Sequence, residues 1–117
     1  MVAPVTTPGM SAADFDIIDT ANERSLAFQG RLDSAACAGL HARVLEQIAG
    51  VQAGQSLRFD LAGSDFVASA FLRLCVIAAR ELGRERFAVT NLAPLVREVF
   101  TMAGLDRHLN LIEQPLP

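Results

Sequence analysis

The sequence predicts a single α/β domain: a mixed, mostly parallel sheet of four to five strands with three to four helices packed on it. Three observations carry this. After an opening pair of short strands the apolar residues alternate between helix and strand periods, the 117 residues make one domain's length, and 51% of them are hydrophobic. A folded chain of this size buries roughly two-thirds of the surface that its unfolded form exposes, which supports one core and not two.

Residues 1–13 lack apolar periodicity and carry two Pro and one Gly, so they read as a flexible tail. Residues 113–117 form a second tail, and the domain spans 14–112. Phe15, Ile17 and Ile18, then Leu26 and Phe28, flank the polar break Thr20-Ala21-Asn22-Glu23, which predicts a β-hairpin. Gly30 ends that pattern. Asp33-Ser34 then precede an apolar stripe of Leu40, Val44 and Ile48, so a side-chain oxygen stands ready for the first free N–H groups of a helix that Gly50 terminates. Leu57, Phe59 and Leu61 alternate with Arg58 and Asp60 at strand spacing. Over Ala70 to Leu82, the residues Leu72, Val76, Ala79 and Leu82 fall at helical spacing, and Gly83 ends the run. Phe87 and Val89 mark another strand. Pro94 opens a helix whose first turn has no use for its missing N–H. Gly104 followed by Leu105 matches a left-handed helix end with its hydrophobic contact. Leu109, Leu111 and Ile112 make a final edge segment. The order β, β, α, β, α, β, α, β predicts parallel pairing through crossover helices.

Composition excludes several classes. Eight Gly and five Pro are too few for collagen-like or low-complexity chains, and the apolar content is too high for disorder. The net charge is −3, and all ten basic residues are Arg, scattered among thirteen acids. Nucleic-acid binders gather their cations on one face, so this pattern disfavours nucleic acid. Cys37 and Cys75 are too few for a disulfide framework or a zinc site, and reduced buried thiols are expected. The N-terminus MVAPVTTPGM has neither a basic n-region nor an apolar h-region. The longest apolar run, Phe66 to Ala79, contains Ser69 and Arg73 and is too short to cross a bilayer. A cytoplasmic protein without membrane insertion is expected.

The chain offers little to an enzyme. His41 and His108 stand far apart, no phosphate-cradling or nucleophile-elbow motif occurs, and no close pair of carboxylates stands out. Cys37 and His41 are one helical turn apart, where a core Cys beside a surface His is the plain account. No catalytic residue, cofactor or metal is expected.

The most informative segment runs from Asp60 to Arg73. A strand ends there, a loop follows, and Ser69 stands at the mouth of an apolar helix. Its hydroxyl has two readings: a helix cap, or a phosphate acceptor favoured by the positive end of the helix dipole. Asp33 and Ser34 likewise read as a helix cap or as a partner contact. Asp60 and Asp65 read as loop acids or as supports of the Ser69 loop. An exposed Phe71 would waste apolar surface unless a partner covered it, so its ring reads as core or as interface.

Taken together, Phe28-Gln29-Gly30-Arg31-Leu32-Asp33-Ser34, Leu57-Arg58-Phe59-Asp60-Leu61 leading to Asp65-Phe66-Val67-Ala68-Ser69-Ala70, Asn91 to Phe100, and Gly104-Leu105-Asp106 occur in an order and spacing that resembles a STAS domain of the anti-sigma factor antagonist type. The resemblance covers residues 14 to 112. It implies a regulatory, non-enzymatic protein that binds an anti-sigma factor or a Ser/Thr kinase, with a phosphatase to reset it, and a homodimer is left open. It implies phosphorylation at Ser69 and a partner surface of Asp33, Ser34, Asp65, Ala68, Ala70, Phe71 and Arg73. The family's pattern places Gly where this chain has Phe71, and both flanks of Ser69 are altered. Those departures keep a second reading open: an unphosphorylated STAS scaffold or accessory subunit of a lipid transport system or signalling complex. A nucleotide-binding STAS domain ranks below both, for want of a glycine-rich phosphate loop.

Overall fold

The computed structural model describes residues 13–113. The elements follow the predicted order: β1 (Asp14–Asp19), β2 (Glu23–Gln29), α1 (Ser34–Ala49), β3 (Ser56–Gly63), α2 (Ser69–Leu82), β4 (Phe87–Leu92), α3 (Pro94–Met102) and β5 (Asn110–Glu113). A 3-10 turn at Arg84–Arg86, which no sequence signal marks, joins α2 to β4. The tails expected over 1–13 and 113–117 lie outside the described residues, apart from their inner ends. Ala13 packs against the core, and Glu113 pairs with Leu92 in the sheet.

The five strands lie in sequence order across one sheet, with β1 and β5 at its edges. β1 and β2 are antiparallel, and the remaining pairs are parallel, as their connecting helices require. Register builds two faces. Ile17, Leu26, Phe59, Val89 and Leu111 form one row across all five strands, and the next row is Ile18, Ser25, Arg58, Ala88 and Asn110. The first row belongs to the core side. Along β3, Leu57, Phe59 and Leu61 are buried while Ser56, Arg58 and Asp60 between them are only half-buried.

Aromatic rings hold the centre of the core. Phe28 meets Phe15, Phe59 and Phe71 with centroids 5.4, 5.1 and 5.1 Å apart, and Phe59 meets Phe87 at 4.8 Å in an edge-to-face pair. Phe71 is the only one of these rings carried by a helix, so it pins α2 to β2 and β3. Its relative exposure is 0%. The buried face of α2 is Phe71, Leu72, Leu74, Cys75 and Ala78. The expected stripe of Leu72, Val76, Ala79 and Leu82 therefore lies mostly on the helix flank. The run Phe71 to Ala79 is apolar nearly all round, and periodicity alone does not orient such a helix.

Helix ends follow the sequence signals more closely. Asp33 caps α1, its Oδ1 accepting the Ala36 N–H at 2.8 Å. At the end of α3, Gly104 takes φ 77°, and the Leu105 N–H reaches the Phe100 carbonyl at 3.0 Å while the Gly104 N–H reaches Thr101. This is the paired-bond helix stop that Gly in the left-handed region permits. At the hairpin turn, Arg24 donates to both carboxylate oxygens of Asp19 at 3.2 Å and Gln55 donates to Asp19 Oδ1 at 2.6 Å.

Two predictions follow from this packing. Phe71→Ala removes the ring that joins helix to sheet and should cost about 3–5 kcal/mol in denaturant unfolding, whereas Met102→Ala, with its side chain in solvent, should change stability by less than about 0.5 kcal/mol. The bonds from Arg24 hold the Asp19 carboxyl below the usual range, outweighing the desolvation that opposes them, and the Gln55 bond adds to the lowering. Its contribution is therefore complete above the ordinary carboxylate pKa and lost as pH falls through the lowered folded value. Thermal unfolding followed from neutral to acid pH should show a shallower acid-side loss for Asp19→Asn than for the parent chain.

Candidate functional site

The starts of α1 and α2 lie side by side because two loops are laced together. Leu32, in the β2–α1 loop, forms a parallel bridge with Val67 in the β3–α2 loop. The Leu32 N–H donates to the Phe66 carbonyl at 3.1 Å, and the Ala68 N–H donates to the Leu32 carbonyl at 2.8 Å. One turn earlier, the Gly30 N–H donates to the Gly63 carbonyl at 3.1 Å. Gly63 has to be glycine for this approach, since a Cβ there would sit 2.9 Å from the Phe28 carbonyl oxygen. Both Leu32 and Val67 are buried, so the lacing is fixed from beneath by the core.

Ser64 locks the same junction. Its hydroxyl is within hydrogen-bond reach of the Gly30 carbonyl at 2.8 Å and of the Phe66 carbonyl at 3.2 Å, and the residue is 4% exposed. Outside the loops, the Arg31 guanidinium stacks over the Phe66 ring at 3.8 Å from its centroid and approaches Asp33 at 3.8 Å. Neither Ser64 nor Arg31 stands out in the sequence as a site residue. The acceptor of Ser64 lies 34 positions away, a pairing that no local pattern encodes.

Ser69 is the first residue of α2 and is exposed. It is not the cap. That position belongs to Ala68, in extended conformation, which has no side-chain oxygen to offer. The Phe71 and Leu72 N–H groups both take the Ala68 carbonyl, and no hydrogen bond engages the Ser69 hydroxyl among the described residues. An exposed, unbonded hydroxyl thus stands on the positive end of a 14-residue helix. Arg73, one turn further along and exposed, has no acidic partner within 4 Å among the described residues.

Between the two helix starts runs a groove of about 390 Å³, lined by Ser34, Cys37, Ala38, His41, Ala70 and Arg73. Three of the expected partner residues, Ser34, Ala70 and Arg73, therefore meet on one surface. Ala68 lies half-buried beside them, and Asp65 is exposed on the loop with no ion-pair partner among the described residues. Asp33 spends one carboxylate oxygen on its helix cap. Phe71 does not belong to this surface: its ring is enclosed by Phe28 and Phe59, so the core reading of that residue holds and the interface reading is corrected. Asp60 supports the strand end, its Oδ1 accepting from the Ala62 N–H and from Asn91 Nδ2, each at 2.9 Å. Asn91 stands at a left-handed φ of 59°, which Asn tolerates better than most residues.

The thiols offer no activated nucleophile. Burial pushes the Cys37 thiol up, with the nearby Asp33 adding to it, and burial raises the wholly enclosed Cys75 well above the usual thiol value. A nucleophilic Cys requires the opposite shift. Among the described residues no group of three or more His, Cys, Asp or Glu could hold a metal ion, and no helix is long and apolar enough to cross a membrane.

Comparison with known proteins agrees with this architecture. Residues 18–113 match the family model described as "Mlab, STAS domain". Among solved structures, the chain is similar to an anti-sigma factor antagonist from Mycobacterium paratuberculosis, at 21% identity and a TM-score of 0.76, covering 92% of this chain and 90% of that one. It is similar to an anti-sigma-factor antagonist (STAS) domain protein from Planctomyces limnophilus, at 22% identity and a TM-score of 0.75, covering 88% and 92%. The anti-sigma factor antagonist SpoIIAA in its unphosphorylated form matches at 24% identity and a TM-score of 0.66, covering 83% and 86%. No curated protein matches. The family match takes in β2 to β5 and every helix, including both laced loops and the Ser69 helix start, and on that ground the chain belongs to the STAS domain family.

Proposed function

We propose that this protein is an anti-sigma factor antagonist, binding an anti-sigma factor or Ser/Thr kinase through the groove between α1 and α2 and switched by phosphorylation of Ser69. The observation that carries the reading is the state of Ser69: exposed, free of side-chain hydrogen bonds among the described residues and seated on a helix start beside a partner-sized groove. The antagonist role of the similar solved structures supports it. Ser34, Asp65, Ala68, Ala70 and Arg73 frame the contact, and Asp33 with Arg31 borders it. A phosphatase would reset the switch.

The physics of the modified state follows from the same geometry. A phosphoryl group adds roughly −1.5 to −2 charges and three acceptor oxygens. At the first residue of α2 those oxygens face free N–H groups, and Arg73 lies at the helical spacing where opposite charges attract. Phosphorylation therefore stabilises the start of α2 instead of melting it. Release of the partner comes from bulk and charge on a preformed surface, with the fold unchanged.

A second reading, a STAS subunit that is never phosphorylated and serves a lipid transport system or a signalling assembly, is motivated by the departures from the family pattern at Ala68 and Phe71, and the matching family model is described as "Mlab, STAS domain". In that case the same groove docks a constant partner.

Incubation with the cognate kinase and ATP should add one phosphate, found on Ser69 by mass spectrometry; an unmodified Ser69 would remove the switch and leave the second reading. Ser69→Asp should weaken partner binding by about tenfold or more in calorimetry while Ser69→Ala leaves it within about twofold. Ser69→Asp should also raise the unfolding free energy by ~0.3–1 kcal/mol through the helix dipole, and a clear fall in stability would contradict the preformed-surface mechanism.

A further inference from the structure

The largest apolar stretch of α2 is not used up by the core. α1 packs against one flank of α2, but α3 keeps apart from the other, and a groove of about 440 Å³ opens there between α2 and the loop leading into β5. Val76 on the helix and Leu105 and Leu109 on the loop form its floor. This flank explains why the apolar spacing of Val76 and Ala79 looks like a core stripe although both residues are only half-buried. Arg80, Arg84 and His108 stand exposed around the groove.

Those cations are uncompensated. No acid lies within 4 Å of Arg80, Arg84 or His108 among the described residues, although the whole chain has a net charge of −3. Of the acids nearest in sequence, Glu81 and Glu85 line other depressions, on the α1 side of α2 and at the strand ends, and Asp106 in the same loop is half-buried and does not line this groove. An acidic protein thus carries one apolar trough rimmed by free positive charge, about ten residues along α2 from Ser69, which at 1.5 Å per residue is roughly 15 Å away.

We propose that this groove is a second docking surface, for an acidic segment of a partner protein that sets an apolar side chain on the Val76, Leu105 and Leu109 floor and carboxylates on Arg80 and Arg84. Charge complementarity selects an anionic occupant. The open shape selects a protein segment, because a small amphiphile gains its affinity by burying most of its own surface, which an open trough does not do, whereas a partner brings its own cover. A flat membrane surface would not reach the concave floor. Both loop and helix residues here are independent of Ser69, so one STAS domain could hold two proteins at once, one at each end of α2.

The test uses the full chain and a fluorescein-labelled peptide of repeated Glu-Leu-Glu-Glu, with a Lys-for-Glu peptide as control. The Glu peptide should bind in anisotropy titrations at up to ~1 mM, weaken as salt is raised, and shift the amide resonances of Val76, Leu105 and Leu109. Arg80→Glu combined with Arg84→Glu should weaken it about tenfold, while Arg73→Glu, at the other end of α2, should leave it unchanged. Both substituted side chains are exposed, so the double variant should stay folded at the assay temperature, with only a small fall in unfolding midpoint from the charge reversal in the last turn of α2. Absence of binding at ~1 mM, equal binding by the double variant, resonance shifts centred on Ser34 and Ala70, or capture of phosphatidylglycerol vesicles in place of the peptide would each overturn the proposal.

Discussion

Everything distinctive about this molecule depends on the lacing of two loops that are far apart in sequence. The Leu32–Val67 bridge, with the Ser64 hydroxyl beneath it, fixes where α1 and α2 begin relative to each other. Parallel strands joined by crossover helices bring both helix starts to the same end of a sheet, but they do not set the distance between them. Three backbone bonds and one buried hydroxyl do. The candidate surface is thus held by main chain and core, and its exposed side chains are free to differ without moving it.

This arrangement separates two jobs that adjacent residues perform. Phe71, two positions after Ser69, is wholly enclosed among rings from β2 and β3, and Ser69 is wholly available. One turn of helix therefore anchors and presents at once. Under the proposed phosphorylation of Ser69, a switch built this way would need no conformational change to be read, because the signal would be the surface charge itself. The same logic extends along α2, whose apolar circumference exceeds what the sheet covers and leaves a flank bordered by Arg80 for other contacts.

Much of the fold was legible in the sequence, and the reason is local. The hairpin, the Asp33 cap, Pro94 at a helix start and the Gly104-Leu105 stop each encode their geometry within a few residues. So does the alternation of Leu57, Phe59 and Leu61. The face of α2 was not legible, because a helix apolar on most sides has no periodic signal to orient it, and only the Phe28 and Phe59 rings decide that Phe71 points inward. Ser69 is the first helical residue and not the cap because the extended Ala68 already offers its carbonyl to the first helical N–H groups, a backbone choice that no side chain in the sequence marks. Ser64 and Arg31 had no signal at all, since their partners are brought to them by the tertiary fold. Among the site residues, those that share the groove were found by likeness to a family, and the groove itself needed the structure.

Acidic side chains line the β1 edge of the sheet. β1 runs Asp14-Phe15-Asp16-Ile17-Ile18-Asp19, with no strand paired to its outer side among the described residues and with Ile17 and Ile18 half exposed. Such an edge invites another strand. Antiparallel pairing of two copies centred on this strand would set Asp14 against Asp19 of the other chain and Asp16 against Ile17, gathering six carboxylates along one seam. Asp14 is already held by Arg43 and Asp19 by Arg24, so a strand seating on this edge would have to share or displace those guanidinium partners as well as meet the Asp side chains.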